Sequence, residues 1–365
     1  MKATHTIRIK NTLLIAIVLF ATVLSSCKKK EEAAAPAGAY DSGVFIVNEG
    51  PFGSGTGTVS HYDRNTKVTT NDIFQLANGY PLGNIAQSMN VINGYSFVVV
   101  NSANKIEVVN GADFKSLTTI NGLTQPRNIL QISNEKAYVT EWGAGGTVGA
   151  IKIINLINGD ILNTIAFGRK GPEKMLKKGA LVYVTCKGGY GYDSVVSVIN
   201  SNTNLVSTNV EVGPNPDGIV EDANGKLWVL CVGKFKSDFS GLEKYGQLVK
   251  LNPTTNTVEA TFVLNTSSDV YSQPSGLSIN TAKNILYYNY DGKVYSQTTN
   301  ATSLQSTIFA NRSFYSLGVD PATNIIYAGD AGNFSSPGKV VRYNANGTRM
   351  DSLNVGIIPG SFYFR

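Results

Sequence analysis

Histidine is almost missing from this chain. Two occur in 365 residues, and His5 lies in a basic leader, so His61 stands alone in the body. A histidine-rich metal site is thereby excluded, and a serine-hydrolase triad would have to lean on His61. That residue sits in the run Thr-Val-Ser-His-Tyr-Asp, an ordinary strand position, and no Gly-x-Ser-x-Gly elbow stands in a strand–turn–helix context. Cysteine is scarce as well, with only Cys27, Cys186 and Cys231. The last two are 45 residues apart and fill the same position in adjacent repeats, so their side chains point the same way in separate sheets. A bridge needs Cα atoms within about 7 Å and converging Cβ vectors. They read as small buried hydrophobes. Charged residues make up only 15% of the chain. Once Lys2, Arg8 and Lys10 of the leader are set aside, 28 basic residues face 25 acidic ones, a net of +3. Nothing in that balance supports nucleic-acid binding. Long apolar runs are absent but for Thr12 to Leu24, which is shorter than a comfortable membrane span.

Glycine and tyrosine are plentiful, at 37 and 18 residues, a mix that suits short strands and tight turns. The run Tyr138-Val139-Thr140-Glu141 has six relatives, in VFIVNEG, SFVVVNS, LVYVTCKGG, LWVLCVGK, ILYYNYDG and IIYAGDAGN. Their fourth positions are Asn48, Asn101, Glu141, Cys186, Cys231, Asn289 and Asp330, spaced 53, 40, 45, 45, 58 and 41 residues apart. Seven repeats at that period predict a β-propeller. Each repeat reads as four strands: a polar lead-in that often holds Pro, the Tyr-Val-Thr-like strand, then a third strand such as Lys105 to Asn110 and a fourth such as Ser116 to Ile120. Polar pairs such as Asn93-Gly94, Asn224-Gly225 and Asp291-Gly292 suit hairpins, because they tolerate positive φ. The body opens at Gly43 directly on a second strand, and Gly356 to Arg365 reads as a first strand lacking its second. The C-terminal strand is therefore expected to complete the N-terminal blade and close the ring.

Before the body lies an address. A basic start and the apolar run lead to Leu24-Ser25-Ser26-Cys27, which resembles a bacterial lipobox, so residues 1–26 are expected to be a lipoprotein signal peptide and Cys27 to carry lipid. Residues 27–42 read as a tether, and residues 43–365 as the propeller. Lys28-Lys29-Lys30-Glu31-Glu32 resembles the surface-export signal of Bacteroidetes-type lipoproteins. It implies attachment to outer-membrane lipid facing the medium; a plain soluble spacer, with a periplasmic location, is the alternative.

The chain spends its extra residues between second and third strands: Glu49 to Gly57, Glu141 to Gly149, Lys187 to Asp193, Gly233 to Gly246 and Gly329 to Gly338. In a propeller these loops share one face with the links between blades. That face is expected to gather Glu49, Phe52, Glu141, Trp142, Lys187, Tyr190, Tyr192, Phe235, Phe239, Tyr245, Asp330 and Phe334 from the loops. The links add Tyr80, Gln87, Arg127, Asp217, Tyr271, Gln273 and Tyr315. Aromatics on glycine-rich loops around a concave mouth suggest a sizeable ligand. Glycosidase chemistry needs two facing carboxylates, and Glu49, Glu141, Asp217 and Asp330 could share a face, although acidic loop residues are common and sequence spacing does not give their separation. No catalytic residue, metal or cofactor is expected, and the protein reads as a non-enzyme.

Tyr138-Val-Thr-Glu141, Tyr183-Val-Thr-Cys186, Val196-Ser-Val-Ile-Asn200 and Gly213-Pro-Asn-Pro-Asp217 resemble the YVTN or YncE-like family of seven-bladed β-propellers over nearly everything after residue 42. Phe45 to Gly57, Pro81 to Met89 and Lys105 to Val109 resemble, more narrowly, Bacteroidetes surface lipoprotein propellers that work with TonB-dependent transporters. Some of those capture corrinoids, the vitamin B12-type cofactors. The resemblance implies nutrient capture, with a corrinoid as ligand and a TonB-dependent transporter as partner. Two other classes stay open: a protein-interaction or envelope-structural propeller without a small ligand, and a glycan hydrolase or lyase.

Overall fold

The structure is a computed structural model that describes residues 38–166 and 168–365. The expected signal peptide, Cys27 and most of the tether lie outside the described residues. Seven four-stranded antiparallel sheets carry the body, with one small extra hairpin. Their innermost strands are Ala86–Ile92, Pro126–Gln131, Pro172–Lys178, Pro216–Glu221, Ser275–Ile279, Ser316–Val319 and Pro359–Phe364. Each touches the inner strand on either side, so they form a closed ring. The protein is a seven-bladed β-propeller. Blade 1 holds Pro359–Phe364 and Val44–Asn48, and blades 2 to 7 follow in chain order.

Packing explains the apolar second strands. Val44–Asn48, Leu227–Cys231 and most of Lys136–Glu141 are buried along their whole length, because each blade is covered by neighbours on both faces. The core is correspondingly divided into seven clusters, each between two adjacent blades; Tyr138, Ile151, Val182 and Val184 belong to the one between blades 3 and 4. The fourth strands, at the rim, alternate instead, as in Leu205–Glu211. The hairpins joining third to fourth strands repeat one device. Asp63, Asn110, Asn155, Asn200 and Asn252 each accept, on the side-chain oxygen, the backbone N–H two residues on. The chain then returns through a left-handed residue at Lys67, Phe114, Gly159, Asn204 and Asn256.

Two of those left-handed asparagines explain the tyrosine of the repeat. Tyr138 donates its hydroxyl to Asn204 Oδ1 of the next blade, and Tyr183 donates to Asn256 Oδ1 at 3.1 Å and Pro253 O at 2.9 Å. The threonine works at the other end of the strand. Thr140 Oγ1 donates to Glu173 O at 2.9 Å, and Thr185 Oγ1 to Asp217 O at 3.2 Å. Serines do the same elsewhere: Ser88 to Arg127 O, Ser278 to Leu317 O, Ser316 to Pro359 O and Ser361 to Gln87 O. Six of the seven seams thus carry a hydroxyl-to-carbonyl bond between blades. Between blades 5 and 6 Leu230 takes the threonine's place, and among the described residues no hydroxyl bridges these inner strands.

The closure is as the chain ends imply. Val44–Asn48 pairs with Pro359–Phe364, and Gly43 and Arg365 exchange backbone hydrogen bonds of 3.2 and 3.0 Å. Residues 38–42 belong to the body rather than to the tether. Tyr40 packs edge-on against His61 and Phe114 at 5.1 and 5.7 Å, and its carbonyl accepts from Arg365. A large ring with an apolar shelf beside it is better buried than left in water. A short helix, Ile73–Asn78, lies in the link to blade 2 and buries Ile73 and Phe74; no periodicity in the sequence marked it. Deleting residues 356–365 is expected to lower the melting temperature sharply in a thermal scan; an unchanged melt would refute closure by this strand.

Candidate functional site

Six of the seven inner strands slip register by one residue just after their first pair. The extra residues are Gln87, Arg127, Glu173, Asp217, Gly276 and Gly360, and all six line one axial cavity of about 870 Å³. A bulge turns a side chain out of the pleat and leaves its backbone without a ladder partner. Here the preceding blade supplies one: the carbonyls of Gln87, Arg127, Glu173 and Asp217 are the acceptors of Ser361, Ser88, Thr140 and Thr185. The four polar side chains are therefore fixed by the same bonds that join the blades.

Their chemistry is that of a linked ion-pair set. Arg127 grips Glu173 bidentately, Nε to Oε2 and Nη2 to Oε1 both at 2.9 Å, and its Nη1 donates to Gln87 Oε1 at 2.6 Å. The guanidinium lies 4.1 Å from the ring centre of Trp142, whose Nε1 also donates to Glu173, at 2.9 Å. Lys187 pairs with Asp217 at 3.0 Å, and Tyr315 donates to Glu49 Oε2 at 3.0 Å. Arg312 pairs with Asp330. Burial pushes the Glu173 carboxyl up, but Arg127 and Lys187 outweigh it and hold it well below the usual range. Burial raises the Glu49 carboxyl, against the pull of Tyr315 and Arg127.

Of the residues expected at the mouth, Glu49, Gln87, Arg127, Lys187, Asp217, Tyr315, Asp330 and Phe334 line the cavity. Others stand apart from it. Glu141 is buried, accepting Thr124 N at 2.9 Å and pairing with Lys152, so it is spent on the loop that it anchors. Trp142 acts from behind, under Arg127, with Tyr190 edge-on to it at 5.5 Å. Phe52 is 84% exposed on its loop, and Tyr80 packs on Phe74. On the arm of blade 5, Phe235 meets Phe239 and Tyr271, each at 6.2 Å. Tyr192 lies beneath Lys234 and Lys244, and Tyr245 is half exposed.

Glu173 was missed by sequence reasoning. The signal was present: Pro126-Arg127, Pro172-Glu173 and Pro216-Asp217 repeat a proline followed by a charge at equivalent positions. His61 is the ordinary strand residue expected, buried with Nε2 2.7 Å from Ser42 O, and its pKa is lowered by that burial. Cys186 and Cys231 are buried free thiols, as their repeat positions imply, and burial pushes Cys186 up to about 12. Neither is a ready nucleophile.

Fold and mouth together define a seven-bladed propeller with a polar axial pocket. The chain belongs to the family described as a domain of unknown function, DUF5074, whose profile matches residues 42–364. No curated protein matches the chain in sequence. Solved structures share the fold. A quinoprotein alcohol dehydrogenase-like protein from Bacteroides thetaiotaomicron superposes with a TM-score of 0.63 at 17% identity, over 89% of this chain and 78% of that one. Kuenenia stuttgartiensis hydrazine synthase gives 0.61 at 16%, over 78% and 89%. The periplasmic gluconolactonase of Pseudomonas aeruginosa gives 0.66 at 11%, over 88% and 98%. At these identities the likeness is one of fold.

The two shifted carboxyls have opposite consequences for stability. Glu173, depressed on folding, contributes stability above the ordinary carboxylate range and loses it as the pH falls through its lowered pKa. Glu49, raised on folding, subtracts stability at neutral pH and stops doing so as the pH falls below that range. Glu173→Gln is expected to cost about 3–5 kcal/mol at neutral pH, since it strips Arg127 of its countercharge. Glu49→Gln is expected to melt higher than the parent at about pH 7, the gain vanishing near about pH 4. Melting curves across pH check both signs.

Proposed function

We propose that this protein is a ligand-capturing propeller rather than an enzyme, and that it takes a sizeable polar ligand into its axial mouth. One observation carries the reading. Four bulged side chains converge on a solvent-open cavity of about 870 Å³, held rigid by bonds from neighbouring blades. That volume lies within the range of small-molecule sites, about 300–1,000 Å³. A fixed Arg127–Glu173 pair costs little to order when a ligand arrives. The leading ligand is a corrinoid, proposed from the resemblance in the first blades. Its amide-bearing edge suits hydrogen-bonding groups such as Gln87, Lys187 and Tyr315. The leader up to Cys27 supports a lipid-anchored location at the outer membrane, facing the medium, and a TonB-dependent transporter is the proposed recipient.

A second reading, a protein-binding propeller without a small ligand, is favoured by the exposed aromatics Phe52, Tyr190 and Phe239 at the elaborated loops. Isothermal titration with cyanocobalamin separates the two. Saturable binding at one site, weakened several-fold in Lys187→Met, is expected; absence of binding to folded protein would remove the corrinoid. Anchoring has its own check. Labelled palmitate is expected on the parent and absent from Cys27→Ala expressed in a lipoprotein-competent bacterium.

A further inference from the structure

On the inner strands, the charged side chains of the channel come from blades 3 to 5 (Arg127, Glu173, Lys174 and Asp217), while Glu49 and Asp330 reach it from the second-strand exits of blades 1 and 7. At the bulge position that holds Gln87, Arg127, Glu173 and Asp217 in blades 2 to 5, blades 6 and 1 carry Gly276 and Gly360; Gly218 and Gly318 lie further along the inner strands of blades 5 and 7. A Cβ at Gly218 would meet Leu277 Cβ at 2.8 Å, and one at Gly318 would meet Phe362 Cδ2 at 2.8 Å. At Gly276, Leu317 Cγ stands 3.5 Å away. The missing side chains at Gly218 and Gly318 thus make room for Leu277 and Phe362 of the following blades, and Leu317 stands in contact beside Gly276. Those three line the axial cavity and are only partly buried, with one side in the blade cores and the other toward the channel.

Most of the charge on the lining is compensated, and Lys174 lies in the field of Glu173. The lining holds three cations (Arg127, Lys174, Lys187) against four carboxylates (Glu49, Glu173, Asp217, Asp330), one net negative charge. Glu173, Asp217 and Asp330 already have cationic partners, and Glu49 has Tyr315. A strongly charged head group would compete with these pairs as it entered. A hydroxyl or amide head would only exchange water.

We infer that the axial cavity takes an amphiphile, with an uncharged hydroxyl- or amide-bearing head on the charged arc and a hydrocarbon limb on Leu277, Leu317 and Phe362. The inference rests on the reading of this cavity as the ligand site, but not on the corrin ring. The hydrocarbon limb would replace water on surfaces that packing leaves half covered.

The test is a titration of the full chain with glucose and with n-alkyl β-D-glucosides from hexyl to nonyl, each below its micelle concentration. The expected result is no measurable binding of glucose, one site for the alkyl compounds, and an affinity that rises with every methylene by up to about fourfold. Leu317→Asn and Leu277→Asn are expected to flatten that rise, whereas Leu205→Asn, on an exposed outer strand, is expected to keep it. The chain-length series on the parent stands alone if either channel variant does not fold. Affinity independent of chain length would overturn the inference, as would a rise untouched by both channel substitutions. Cyanocobalamin binding beside a flat alkyl series would remove the amphiphile and leave capture standing. An alkyl rise without cyanocobalamin binding would do the reverse for the corrinoid.

Discussion

A ring of stacked sheets is stable only if each sheet is held at a fixed angle to the next, and here hydroxyl groups on one blade donate to inner-strand carbonyls of the following one. Each bond is worth only about 1 kcal/mol net. Their importance lies in which carbonyls they choose. Four of the six acceptors belong to the bulged residues Gln87, Arg127, Glu173 and Asp217. A bulge alone would leave an orphan carbonyl near the axis, at a cost of about 1–3 kcal/mol if buried. The neighbour removes that cost and in the same stroke sets where the side chain stands. Ring assembly and site assembly are one event.

This coupling accounts for the electrostatics of the mouth. Arg127 can hold Glu173 bidentately only because the two inner strands keep a constant offset, one blade apart. Trp142, launched from the end of the strand that carries Thr140, closes the arrangement from behind. The burial that would otherwise neutralise Glu173 is outweighed by cations delivered from blades 3 and 4. On the other side of the axis blades 6 and 1 carry glycine at the bulge position, and the inner-strand side chains facing the channel pass from charge to hydrocarbon.

Much of the fold was legible because a propeller repeats itself. Seven buried second strands, turn pairs such as Asn93-Gly94 with both φ values positive, and the unmatched end segments all follow from local chemistry that recurs. The site was legible in part. Arg127, Asp217 and Gln87 stand in inter-blade segments that the repeat marks, whereas Glu173, after a proline in a strand lead-in, stands out only when the proline–charge pairs of three blades are aligned. Glu141 shows the opposite limit. A polar residue at a strand exit looks available in sequence, yet an adjacent lysine and a backbone N–H claim it. Pairing across blades decides such cases, and no single repeat contains it.

The strand that closes blade 1 has a consequence in time. Glu49 and Tyr315 meet across 266 positions of sequence, and the strand that bonds to Glu49's blade is made 310 or more residues after it. Such long-range pairing forms late, because the entropy of closing the loop must be met before any contact rewards it. Until residue 364 has emerged, blade 1 exposes an unpaired edge and the mouth lacks one wall. A chain clipped short of that strand would leave the ring open, so the site depends on the strand of the fold that is made last among those of the ring.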